Sequence, residues 1–196
     1  MRNRLRLLPA FLLLLGVQLF AADEFTIDPV HSSATFAVKH MLVSTVRGRF
    51  SDVSGAISYD EKDPSKSSVV AIIKTASINT DNQKRDDHLR SADFFEAGKY
   101  PEIRFESTRV QKTGDGELQV TGNLTMKGVT RQVTLPVTLA KVQANGKTRL
   151  GVEIGTQLNR FDYNVSYDST GTTVGKEIKV EINLEAVKNA PQTATR

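Results

Sequence analysis

An alternation of apolar and polar residues with a period of two runs through most of this 196-residue chain. In the segments 118–126, 133–139 and 178–186, every second residue is apolar or glycine. Because successive side chains of a strand point to opposite faces, each segment predicts a strand with one buried and one solvated face. Turn sequences separate the strands: Asp63-Pro64, Gly114-Asp115-Gly116, Lys127-Gly128 and Asn145-Gly146.

This pattern predicts an all-β domain of about eight or nine strands. Residues 69–73 are continuously apolar, which indicates a strand covered on both faces. A short helix is expected only around residues 82–96. Strands of this kind bury one shared apolar face, either in a two-sheet sandwich or in a closed barrel. An eight-stranded barrel holds either a side-chain core or one small ligand, and alternation alone does not distinguish these arrangements.

The first 22 residues have the layout of a secretory signal peptide. Arg2, Arg4 and Arg6 precede an apolar stretch over 7–20, which ends at two alanines. The alternative is an N-terminal membrane anchor, although about 14 apolar residues are short for a bilayer span. We therefore expect one domain over 23–196, in a periplasmic or secreted protein.

Charge and cysteine content exclude several classes of function. Removal of the three leader arginines lowers the formal net charge from +4 to +1, which gives no electrostatic case for nucleic acid. The chain has no cysteine, so thiol catalysis and cysteine metal sites are impossible. Export without cysteine fits a bacterial periplasmic protein.

A few polar residues within the apolar pattern are candidates for chemistry. His31, His40 and His88 match no zinc-site spacing, and the prediction is no metal and no cofactor. Arg85 and Asp86 are either a structural ion pair at a helix start or part of a site for a ligand head group. Arg160 invites the same two interpretations. The chain lacks the Gly-x-Ser-x-Gly and phosphate-loop motifs.

Six blocks of sequence together resemble the YceI-like family. They are Asp28-Pro29-Val30-His31-Ser32, Val46-Arg47-Gly48-Arg49-Phe50, and the stretches 85–95, 100–105, 121–130 and 159–163. Tyr163-Asn164 stands where the family usually has Phe-Gly. The resemblance implies an extended, lipocalin-like antiparallel barrel of eight strands with an elongated cavity. It also implies that the cavity holds a polyisoprenoid or similar amphiphile and that the protein is often dimeric.

The resulting hypothesis is a non-enzymatic protein that stores or transports a polyisoprenoid, an isoprenoid quinone or a fatty-acid-like lipid. The residues expected at the lipid head group are His40, Arg85, Asp86, His88 and Arg160. Those expected around the tail are Phe36, Val38, Phe50, Ile72, Phe94, Phe95, Phe105 and Leu124. Further expectations are transient contact with a membrane or a membrane redox protein, and a homodimer. Two alternatives stay open, a metal-assisted hydrolase using the histidines and Asp86, and a solid barrel that binds a membrane redox partner.

Overall fold

The computed structural model describes residues 22–190, which contain eleven strands, one α-helix and four short 3-10 segments. The strands are β1 (Asp23–Ile27), β2 (Ser33–His40), β3 (Ser44–Phe50), β4 (Val53–Tyr59), β5 (Ser68–Lys74), β6 (Ile78–Asn79), β7 (Glu102–Gly114), β8 (Glu117–Met126), β9 (Val129–Ala144), β10 (Lys147–Asn159) and β11 (Val174–Lys188). The helix α1 is Gln83–Arg90, and the 3-10 segments are Pro29–His31, Pro64–Lys66, Thr75–Ser77 and Arg160–Tyr163. Apart from its last residue, the predicted signal peptide lies outside the described residues.

Eight strands form a closed antiparallel ring in the order β1-β4-β5-β7-β8-β9-β10-β11. The ring closes at β1, where Phe25 pairs with Ile57 of β4 on one side and with Lys188 of β11 on the other. The eight-stranded antiparallel barrel expected from the resemblance is therefore confirmed.

Strand β11 carries two different partners along its length. Its last residues, 186–188, pair with β1, whereas 174–183 pair with β2, which continues to β3 and β6. On the far side of the ring, the ladder between β9 and β10 ends at the Val137–Ile154 pair. One half of the barrel is thus closed by β1, and the other half is walled by β2, β3 and the segment that contains α1.

The tightest packing lies in the half that β1 closes. Phe25, Leu150 and Ala186 are fully buried there, and Ala186 is the ladder partner of both Leu150 and Ile27. In the other half several large inward-facing side chains, among them Phe36, Phe95 and Phe105, are only partly buried and pack against the core. The barrel therefore has a solid end and a loosely filled end.

The helix is shorter than the expected segment 82–96. The side chain of Asn82 caps its start by accepting from the Arg85 N–H, and the chain turns at Ser91. Phe94 and Phe95 lie in the following turn, so their directions are not set by a helical spacing. Within residues 22–190, no helix is both long enough and apolar enough to cross a membrane.

Candidate functional site

An apolar cavity of about 160 Å³ occupies the loosely filled half of the barrel. A second apolar hollow of about 90 Å³ continues from it toward the solid end and shares Phe105 and Leu135 in its wall. We call the two together the tail cavity. Seven of the eight residues expected around a lipid tail line the larger hollow: Phe36, Val38, Phe50, Phe94, Phe95, Phe105 and Leu124.

The placement of Ile72 in the cavity was wrong. Its ladder partners are Ser54 and Arg104, whereas its neighbour Ile73 pairs with the buried Val53 and lines the cavity. Because side chains alternate along a strand, an error of one residue exchanges the inner and outer faces. The continuous apolar run over 69–73 contains no alternation from which the inner face could be read.

Two of the lining phenylalanines lie against glycines of the next strand. A Cβ atom added to Gly48 would be 2.5 Å from the ring of Phe36, and one added to Gly122 would be 2.5 Å from the ring of Phe105. Each ring therefore occupies the space that a side chain on the facing strand would fill. This arrangement keeps the rings against the wall and leaves the hollow in the middle.

Beside the cavity lies a depression of about 220 Å³, which we call the mouth. His40, Arg85 and His88 line it, so three of the five expected head-group residues come together. Val38 and Phe94 line both the mouth and the tail cavity, so the two spaces are adjacent. The inner side of this site is thus apolar, and its outer rim carries nitrogen donors.

Sequence reasoning missed Tyr167 at the mouth. Its ring centroid lies 5.0 Å from that of His88 and 4.8 Å from that of Phe94, so it bridges helix and loop across the opening. The signal in the sequence was weak, since Tyr167 is a lone aromatic residue in the polar segment 164–173. His88 in turn places Nε2 2.8 Å from the carboxylate of Asp93.

Asp86 does not reach the mouth. Its carboxylate is buried and accepts hydrogen bonds from the backbone N–H and the hydroxyl of Thr80. Arg85 uses Nε and Nη2 on the hydroxyl and carbonyl oxygens of the same threonine. Asp86 therefore has a structural role where a head-group contact was expected. Arg85 is held by Thr80 and also lines the mouth.

Arg160 borders the tail cavity, but its donors are occupied. The guanidinium donates to the carbonyl oxygens of Val165, Asp168, Val174 and Gly175. Burial lowers the pKa of this group from its ordinary value. The guanidinium holds segment 164–173 against the start of β11, so Arg160 has a structural role where a head-group contact was expected.

Asp168 completes the same loop. Its carboxylate accepts from the Thr170 hydroxyl and from the backbone N–H groups of Thr173 and Val174. These hydrogen bonds lower its pKa to about 2. The segment 164–173, which carries Tyr167 to the mouth, is thus held by hydrogen bonds from the Arg160 guanidinium to backbone carbonyl oxygens and from backbone N–H groups to the Asp168 carboxylate.

Within residues 22–190, the one group of three potential metal ligands is Asp28, His31 and Glu185, whose ligand atoms lie within 4.8 Å of one another. The hydrogen bond between Asp28 and His31 lowers the pKa of the carboxyl and raises that of the imidazole. Arg149 forms an ion pair with Glu185, which places a positive charge where a metal ion would bind. The histidines and Asp86 of the hydrolase alternative do not form such a group.

Comparison with known proteins gives consistent matches over the barrel. The model of the YceI-like domain matches residues 25–186. Protein YceI of Salmonella newport is 37% identical over 174 residues, covering 85% of this chain and 88% of its own. The crystal structure of the Campylobacter jejuni YCEI protein superposes with a TM-score of 0.71 at 31% identity, over 78% of this chain and 90% of that one.

A further solved structure shares the fold at lower identity. It is a polyisoprenoid binding domain from Saccharophagus degradans, with a TM-score of 0.66 and 17% identity. The superposition covers 84% of this chain and 98% of that domain. At this identity the likeness establishes a common barrel.

Proposed function

The chain belongs to the YceI-like domain family, and from this premise we propose that it binds the hydrocarbon tail of a long-chain amphiphile without catalysing a reaction. The observation that carries the proposal is the apolar tail cavity, which adjoins a mouth lined by His40, Arg85 and His88. A polyisoprenoid, an isoprenoid quinone and a fatty-acid-like lipid all combine such a tail with a polar end. The related domain named for polyisoprenoid binding makes a prenyl compound the first probe.

The hydrophobic effect alone does not select the ligand. Each buried CH₂ contributes about 0.8 kcal/mol relative to water, so a long lipid would nominally exceed the practical affinity ceiling of about 20 kcal/mol. The lipid's real alternative, however, is a membrane, which is equally apolar. Selection therefore depends on the length and shape of the cavity and on contacts at the mouth.

The interior contributes no polar contact of its own. Among residues 22–190, every buried side-chain nitrogen or oxygen already has a hydrogen-bond partner. Any polar recognition consequently falls to the mouth. There Nε and Nη2 of Arg85 donate to Thr80, which leaves Nη1 as the donor group for a ligand. We assign the head-group contacts to Arg85, His40 and His88.

Uptake of a long tail requires the cavity to widen. The two hollows, of about 160 and 90 Å³, are together smaller than the roughly 300 Å³ at the lower end of ligand pockets. The wall offers rings that can change rotamer, because Phe36, Phe95 and Phe105 are only partly buried. We infer that these rings move when a tail enters, which makes binding slower than to a preformed pocket.

The test combines lipid identification with a blocked cavity. Organic extracts of protein purified from its native host should yield a co-purified amphiphile by mass spectrometry. Val180 lines the tail cavity beside Phe36, its ladder partner on the neighbouring strand, so Val180→Phe should weaken binding of a fluorescent prenyl probe by about tenfold or more. Val142→Phe, at an exposed position in β9, is the matched control and should bind as wild type does. Extracts without lipid together with equal probe binding by both variants would refute the proposal.

A further inference from the structure

The turn between β2 and β3 exposes three large apolar side chains in sequence. Met41, Leu42 and Val43 are 60, 72 and 86% exposed, although side chains of this kind are normally buried. Contiguous exposed apolar surface commonly marks a contact with a membrane or another molecule. We call these three residues the tip.

The turn is built from residues that its backbone disfavours. The Val43 N–H donates to the His40 carbonyl oxygen at 3.1 Å, which closes a β-turn with Met41 and Leu42 at its centre, within the three-residue loop between His40 and Ser44. Both residues inside it have positive φ, 51° at Met41 and 59° at Leu42. Such turns favour Asn-Gly, because bulky side chains at positive φ are strained. Met41 and Leu42 therefore adopt backbone conformations that their side chains disfavour, and neither side chain is buried in return. Such a departure from local preference is typical of functional sites.

The tip stands directly beside the mouth. His40, the residue before it, lines the mouth, and the Met41 N–H donates to the carbonyl oxygen of Thr173, which also lines it. A surface that covers the tip would therefore also face the opening of the tail cavity.

The hairpin that carries the tip is basic. Between Asp28 and Asp52 the chain has no acidic residue, and Lys39, Arg47 and Arg49 lie on the outer face of the hairpin. Asp81 lies 3.8 Å from Arg49, and β11 adds Lys179 and Glu181 at the same outer groove. The cations nearest the tip, Lys39 and Arg47, are exposed. Apolar residues flanked by exposed cations fit the interface of an anionic bilayer, where both parts contribute to binding.

We propose that the tip inserts into the interfacial region of an anionic phospholipid bilayer and holds the mouth against it, so that a tail passes between bilayer and cavity. This inference rests on the proposed function. Docking through the tip orients the mouth toward the bilayer, and the tail then crosses without full exposure to water.

The first test replaces the turn with the residues that its geometry favours. Met41→Asn with Leu42→Gly should keep or raise the melting temperature, since the strain at positive φ is removed. The same variant should lose about tenfold or more of its binding to vesicles of phosphatidylethanolamine and phosphatidylglycerol, measured by co-sedimentation. Wild-type binding should weaken at high salt and on vesicles without phosphatidylglycerol. Unchanged vesicle binding by the double variant would overturn the proposal.

A second pair of variants compares two equally exposed valines. Val43→Ser should weaken vesicle binding, whereas Val30→Ser should not, although Val30 is 82% exposed. Val30 lies in the 3-10 segment before β2, about 20 Å along the strand from the tip. Equal loss by both variants would mean that exposed apolar surface of any location suffices, and the tip would have no specific role.

Two further measurements separate this proposal from the proposed function. A prenyl probe supplied from detergent should bind the double variant as tightly as wild type, while its transfer from vesicles should slow. Loss of binding from both sources would refute the docking role and leave the tip as part of the cavity. Sedimentation velocity tests a second copy as the occupant, because a wild-type dimer that the double variant converts to monomer would also overturn membrane docking.

Discussion

Thr80 and Asp86 are joined by two hydrogen bonds between buried groups. The Asp86 carboxylate accepts from the Thr80 N–H at 2.9 Å and from its hydroxyl, and both residues are at most 6% exposed. The same hydroxyl oxygen accepts from Nε of Arg85. The pair therefore ties the first turn of α1 to the end of β6 and sets the position of Arg85 at the mouth.

Asp86→Ala should destabilise the protein by about 2–4 kcal/mol, because it leaves the buried N–H and hydroxyl of Thr80 without an acceptor. The free energy of unfolding from urea titration measures this loss. Asp87→Ala is the matched control, since its carboxylate is exposed and bonds Gln83 and Arg90 on the helix surface. The control should change stability by less than about 1 kcal/mol. Similar losses in both variants would contradict the structural role of Asp86.

Arg160→Lys should cost about 2–4 kcal/mol even though the charge is conserved. A lysine cannot supply the fork of donors that reaches Val165, Asp168 and Val174, so buried carbonyl oxygens lose their partners. Arg131→Lys, where the arginine is exposed and donates from Nε to the Asp162 carbonyl oxygen, should be nearly neutral. If the lysine at 160 were as stable as wild type while lipid binding fell, Arg160 would be a ligand contact after all.

Gly48→Ala should reduce the space available to a tail. The added methyl group would lie 2.5 Å from the Phe36 ring and 2.7 Å from Cγ2 of Thr80, and because Thr80 is held by its hydrogen bonds to Asp86 and Arg85, we expect the ring to move toward the cavity. We expect the affinity for a prenyl probe to fall several-fold, with a loss of about 1–3 kcal/mol in stability. Gly155→Ala is the control, because nothing lies within 4 Å of the position of its Cβ atom. Equal probe affinity for the two variants would show that the Phe36 ring does not limit the cavity.

Acid should loosen the loop at the mouth through Asp168. Folding lowers the pKa of this carboxyl from 3.8 to about 2, so its contribution to stability is complete above about pH 4 and is lost as the pH falls toward 2. Asp168→Asn should therefore show a smaller decrease in melting temperature over this range than wild type. Asp115→Asn, at the exposed turn between β7 and β8, should follow wild type. Parallel pH profiles for wild type and Asp168→Asn would exclude this group as a source of acid sensitivity.

The sequence predicted the strands well because the period-two pattern reports directly on which face of a strand is buried, whereas the closed barrel was expected only from the family resemblance. It placed Phe36, Phe50 and Leu124 correctly on the inner face. It failed at Ile72, since a run without polar residues carries no information about face. It also overextended the helix, because the turn at Ser91 depends on backbone hydrogen bonds that no residue pattern specifies.

The candidate site was only half predictable. The sequence singled out Arg85, Asp86 and Arg160 alike as charged residues within an apolar pattern. Only the tertiary structure separates Arg85, which lines the mouth, from the Asp86 carboxylate and the Arg160 guanidinium, which bond to backbone groups. Nothing in the sequence pattern singled out Tyr167 or Thr80, since their roles depend on contacts with residues of other segments.

The chain by itself determined antiparallel strands that each have one apolar and one polar face, because alternation along a strand is a local property of the sequence. Only the tertiary structure decided that the larger hollow lies in the half away from β1, that His40, Arg85 and His88 share one opening, and that Met41 and Leu42 stand beside it. These features depend on which strand β11 meets along its length and on how large rings settle over glycines of neighbouring strands. Such relationships join residues far apart in sequence, where no local pattern records them.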